Sequence, residues 1–101
     1  MTNNVLTEYY FSDGNKIILL DRLGMENLYG KIECARNIYL LDMYGATIWQ
    51  VSSDFDFDCE GNPFTSLTLC DDGGIITYRW DGGNYTINDK TGIATPVILM
   101  K

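Results

Sequence analysis

Apolar and polar residues alternate along most of this chain with a period of two, and the alternation is clearest between Gly74 and Gly92. Ile76, Tyr78 and Trp80 fall on one face of an extended segment, and Ile75, Thr77 and Arg79 fall on the other. Asp81-Gly82-Gly83-Asn84 then supplies residues that tolerate positive φ, as the primed hairpin turns require. Tyr85 and Ile87 resume the alternation, and Asn88 to Gly92 closes it with a second turn. Weaker copies of this hairpin lie upstream. Val5 to Phe11 reads as a strand, Asp13-Gly14-Asn15 as a turn and Lys16 to Asp21 as a second strand. Its Ile17-Ile18-Leu19-Leu20 run is apolar on both faces, which places it centrally or under cover on both sides. Leu23, Met25 and Leu28 could form a helical turn, but Gly24 and Gly30 favour a loop with a brief strand, and Tyr29 to Cys34 reads as a strand. Ile38 to Asp42 and Ala46 to Val51 flank the turn Met43-Tyr44-Gly45. Ser52 to Pro63 is the longest connection, Phe64 to Cys70 is a strand, and Thr95 to Met100 is a terminal strand. No segment sustains a 3.6-residue period, so the expectation is a single all-β domain over residues 1–101, with antiparallel hairpins forming a small sandwich or barrel.

Internal similarity adds a second architecture. Ile17-Ile18-Leu19-Leu20-Asp21-Arg22-Leu23-Gly24 aligns with Ile38-Tyr39-Leu40-Leu41-Asp42-Met43-Tyr44-Gly45, and Ile38 to Thr47 aligns more loosely with Ile76 to Tyr85, setting Gly45 on Gly83. The run from Tyr39 to Trp49, Tyr-Leu-Leu-Asp-Met-Tyr-Gly-Ala-Thr-Ile-Trp, resembles the Asp-x-x-(Thr)-Gly-x-x-x-Trp signature of quinoprotein-type β-propeller repeats, and Asp89-Lys90-Thr91-Gly92 looks like a clipped second copy. The resemblance covers about half the chain. It implies two propeller-like blades, with Trp49 docked between adjacent blades and Gly45 making the turn, and it implies no cofactor site. Blades run to about 40–50 residues in sets of four to eight, so only an oligomer of this chain, joined through edge strands, could close a ring.

Composition narrows the chemistry. The formal net charge is −7, a field that repels nucleic acid and anionic membrane surfaces and attracts a cation or a basic protein. The chain has no histidine, which removes the commonest general base, the Ser-His and Cys-His nucleophile pairs and most transition-metal sites. The expectation is therefore a protein that is not an enzyme and needs no cofactor. Cys34, Cys59 and Cys70 form neither a Cys-x-x-Cys pair nor an even disulfide set. With no basic start at Met1-Thr2-Asn3-Asn4, they suggest a reduced, cytoplasmic setting.

Two segments carry the candidate sites. Asp54-Phe55-Asp56-Phe57-Asp58-Cys59-Glu60 alternates acid with aromatic groups. Asp54, Phe55, Asp56, Phe57, Asp58 and Glu60 would offer a basic partner both charge and apolar anchors, as small acidic inhibitors of nucleases and other toxins do. Asp54, Asp56 and Asp58 also have the oxygen chemistry of a calcium site, although Cys59 stands where a calcium loop needs glycine. That alternative would make the chain a calcium-dependent module or a carboxylate enzyme. Trp80, Asp81, Asn84 and Tyr85 cluster about one turn and form the alternative ligand set, suited to stacking and hydrogen bonding with a sugar.

Overall fold

The computed structural model describes residues 5–24, 26–52, 63–71, 73–79 and 83–97. The chain forms β1 (Val5–Tyr10), β2 (Lys16–Leu20), α1 (Glu26–Tyr29), α2 (Lys31–Ala35), β3 (Ile38–Leu41), β4 (Thr47–Gln50), β5 (Phe64–Leu69), β6 (Ile75–Arg79), β7 (Gly83–Ile87) and β8 (Ala94–Pro96). The strands form two four-stranded antiparallel meanders, β1-β2-β3-β4 and β5-β6-β7-β8, so the fold is all-β. Each meander turns one face inward. Ile17, Leu19, Ile38, Leu40, Trp49 and Val51 of the first sheet share one core with Phe64, Leu67, Ile75, Tyr85, Ile87 and Ala94 of the second. Strand β2 lies between β1 and β3. With Ile17 and Leu19 inward, Leu20 is also buried, as its two-sided apolar run requires.

Three of the turns follow one plan. Phe11 N donates to Asn15 O and Gly14 N to Phe11 O, at 2.8 and 3.1 Å. Asp42 and Cys70 repeat this pattern with Ala46 and Gly45, and with Gly74 and Gly73. Each loop ends on a glycine with φ near +90° (Gly14 92°, Gly45 89°, Gly73 89°), as in a type I turn followed by a left-handed residue. The β6–β7 hairpin closes on the pair Arg79–Gly83, which puts Asn84 in β7 and not in the turn. Trp80, Asp81 and Gly82 lie outside the described residues.

Two further expectations are corrected. Tyr29 to Cys34 is not a strand: α1 and α2 occupy 26–35, separated at Gly30, whose φ is +87°. Lys, Glu and Ala are good helix formers, and the helix turns Cys34 and Ala35 into the interior while Glu33 reaches outward. Five residues are too few for a helical period to show in the sequence. The terminal strand begins at Ala94 and runs to Pro96, and residues 98–101 lie outside the described residues.

Several polar contacts join the sheets, among them a 3.2 Å bond from the Tyr9 hydroxyl to Leu67 O. Asn37, 1 % exposed, donates through Nδ2 to Leu20 O (2.6 Å) and Phe64 O (2.8 Å), and its Oδ1 accepts from Phe64 N (2.9 Å). Its side chain thus pairs the first residue of β5 as a neighbouring strand would. Arg79, also buried, donates from Nη2 to Ala35 O at 2.8 Å, with its guanidinium carbon 4.3 Å from the Phe64 ring centroid. A parallel bridge pairs Ser52, beyond β4, with Ile93, just before β8. Asn37→Ala strands buried groups of Phe64 and Leu20 and should cost about 3 kcal/mol. Urea denaturation checks this, and a loss below about 1 kcal/mol would mean the clamp is dispensable.

Candidate functional site

The segment 53–62, which carries Asp54, Phe55, Asp56, Phe57, Asp58 and Glu60, lies outside the described residues, as do Trp80 and Asp81. Of the residues on either side of it, Ser52 bridges Ile93 and Phe64 is clamped by Asn37. The rest of the alternative ligand set does not assemble on one surface. Asn84 is exposed, whereas Tyr85 is 2 % exposed and packs edge-on against Phe64 with ring centroids 5.4 Å apart. Adjacent strand residues point to opposite faces, so this separation follows from the pleat. Among the described residues no group of three or more Cys, Asp or Glu could hold a metal ion. Also among them, no helix is long and apolar enough to cross a membrane. Cys34 is fully buried, as a small core group would be.

Large apolar side chains are exposed around the turns of the first sheet. Tyr10 is 67 % exposed, Met43 62 % and Tyr44 88 %, and Ile48 is about half exposed. These residues belong together because the β1–β2 and β3–β4 turns are neighbours: a Cβ on Gly14 would sit 3.1 Å from Met43 Cε. Lys16, paired with Tyr10 across the hairpin, lies 5.5 Å from that ring's centroid and forms a 3.7 Å ion pair with Glu8. Tyrosine and methionine are enriched at the centres of protein interfaces, and a set of them held out on turns is suited to recognition.

Trp49 lies between the sheets beside these turns. Its Nε1 donates to Asp89 O at 2.9 Å, and its ring rests on Gly92, where a Cβ would come within 2.7 Å of indole Cδ2 and Cε3. Asn88 shapes this turn by accepting from Lys90 N and Thr91 N. Gly45 has nothing within 4 Å of its missing Cβ and serves only its own turn. Phe11, Asp13, Asn15 and Asp89 close a small cleft of about 90 Å³ around the indole.

A polar network that no sequence motif announced lies on the first sheet's other face. Tyr39 donates its hydroxyl to Glu33 Oε2, and Gln50 Nε2 reaches Glu33 Oε2, Arg36 O and Tyr39 Oη at 2.9–3.0 Å. Burial holds the Tyr39 phenol well above its ordinary value, and the Glu33 carboxylate adds to the effect. The available signal was only the alternation that puts Tyr39 and Gln50 opposite each other. Beside the network, Arg22 stacks on Tyr29, 4.1 Å from its centroid, and lines a groove with Ile18, Leu20, Tyr39, Leu41 and Thr47.

Two predictions follow from these contacts. Gly92→Ala combines a φ of +78° with the clash against Trp49 and should cost about 3 kcal/mol. Gly45→Ala carries only the backbone penalty, about 1 kcal/mol, and equal losses in thermal melts would show that the indole yields freely. The raised Tyr39 value means that unfolded chains release this proton first. The contribution of Tyr39 is therefore intact below the ordinary phenol value of 10.0 and is lost as pH rises beyond it. The stability gap between the native chain and Tyr39→Phe should narrow above that pH in denaturation series, and a constant gap would contradict the shift. No family model matches this chain, and no curated protein or solved structure matches it either.

Proposed function

We propose that this protein is a non-catalytic interaction domain that binds a basic protein partner, in the manner of a small inhibitor or immunity protein. The observation that carries this reading is the set Tyr10, Met43 and Tyr44, exposed at one end of the first sheet, on or beside two neighbouring turns. Buried aromatic anchors supply affinity, and the net charge of −7 speeds encounter with a basic surface. The acidic run Asp54 to Glu60 adds charge on the connection between the two sheets. A cytoplasmic location is part of this proposal.

The test is affinity capture from the native host at low and high salt, followed by kinetics on the purified pair. Changing Asp54, Asp56 and Asp58 together to Asn should slow association and flatten its salt dependence. Tyr44→Ala should speed dissociation about tenfold or more, in the range of an interface anchor. A partner whose kinetics respond to neither change would overturn the reading.

One observation favours a second reading, an oligomeric propeller-like module binding a small ligand or carbohydrate: Trp49 of the first meander docks on the Gly92 turn of the second. Light scattering after size exclusion separates the two. A trimer or tetramer at both salt concentrations supports chains pooling their sheets into a ring, and a monomer removes that option.

A further inference from the structure

The cleft beside Trp49 has a composition that specifies its ligand. Leu40, Ile75, Phe11 and Trp49 make its walls apolar and aromatic. Asp13, Asn15 and Asp89 supply its polar atoms, and none of the lining residues is Lys or Arg. Aromatic faces with carboxylates beside them attract a cation, and apolar walls favour one that carries hydrocarbon. The cleft has a volume of about 90 Å³ and opens to solvent. That is room enough for an ammonium with a few methylenes.

The Asp13 carboxylate and the Asp89 backbone are also held in place before any ligand arrives. Asp13 Oδ1 accepts from Asn15 N at 3.0 Å and Oδ2 from Asn15 Nδ2 at 3.3 Å. Asp89 is tied to the indole through its own carbonyl, at 2.9 Å from Trp49 Nε1. Such preorganisation lowers the ordering cost of binding.

We propose that this cleft binds a primary alkylammonium, the end of a lysine side chain presented by a basic partner. The ammonium sits between the Asp13 and Asp89 carboxylates, and its methylenes lie along Phe11 and Trp49. The source of the lysine rests on the protein-binding reading above; the amine chemistry of the cleft does not. Tyr10, Met43 and Tyr44 flank the same turns, so an inserted lysine would have apolar contacts around it.

The experiment is a ¹H–¹⁵N NMR titration of the whole chain with n-butylammonium chloride, using n-butanol as the neutral isostere. The Trp49 indole signal, assigned by its loss in Trp49→Phe, and the Asn15 amide should shift saturably with the amine and not with the alcohol. Asp13→Asn combined with Asp89→Asn should weaken the amine at least about fivefold, a loss in keeping with removing partly exposed charges. Asp13→Asn alone keeps the acceptor for Asn15 N and carries the test if the double variant does not fold. Equal shifts with butanol, unchanged affinity in the variants, or shifts confined to other residues would overturn the proposal. A captured basic partner that binds the Asp13→Asn and Asp89→Asn chain unchanged would overturn the cleft's role and leave the interaction reading standing. Amine binding by a chain that captures no basic protein would do the reverse.

Discussion

The side-chain amide of Asn37 joins the two sheets at a buried point of their shared apolar core. It satisfies both backbone groups of Phe64 and the carbonyl of Leu20, in a place where water does not reach. A buried backbone group without a partner costs more than a typical hydrogen bond contributes, so this geometry is strongly selected over alternatives. It fixes where β5 begins relative to β2, and with it the relation of the second meander to the first. The neighbouring Ala35 carbonyl receives Arg79 from β6, so a stretch of three residues holds the second sheet at two points.

The indole of Trp49 forms another junction between the sheets. The missing side chain of Gly92 lets it approach the β7–β8 turn, and the bond to Asp89 sets its orientation. The chain then crosses by the Ser52–Ile93 bridge. These contacts hold the turns of both sheets around the cleft and beside the exposed Tyr10, Met43 and Tyr44. The surface proposed above for recognition is thus built on strand ends and tight turns, with the core beneath them.

Electrostatics and packing divide the work. The negative field is a property of the whole chain and acts at a distance within the screening length. The apolar groups act only on contact. An interaction domain needs both, since charge governs encounter and desolvated aromatic groups govern residence. The Glu33–Tyr39–Gln50 network is structural: it ties α2 to β3 and β4 and gives Glu33 two donors.

By itself the sequence determined the local structure. Alternation and glycine-containing turns marked the segments that become the eight strands, because pleat and turn conformation depend on a few neighbouring residues, but they also marked Tyr29 to Cys34, which is helical, and left the strand order open. Only the tertiary structure decided which face of β6 is buried. Ile76 and Tyr78 are the more apolar alternative, yet Ile75, Thr77 and Arg79 point inward, because the register aligns them with Leu67, Leu69, Tyr85 and Ile87 of the flanking strands. The same limit applies to the candidate sites. Asn84 and Tyr85 are adjacent in sequence and separated by the sheet, whereas Trp49 and Asp89 are distant in sequence and bonded. Asn37 is an interior clamp for the same reason: its partners are supplied by strands brought from elsewhere in the chain, and no local pattern encodes them.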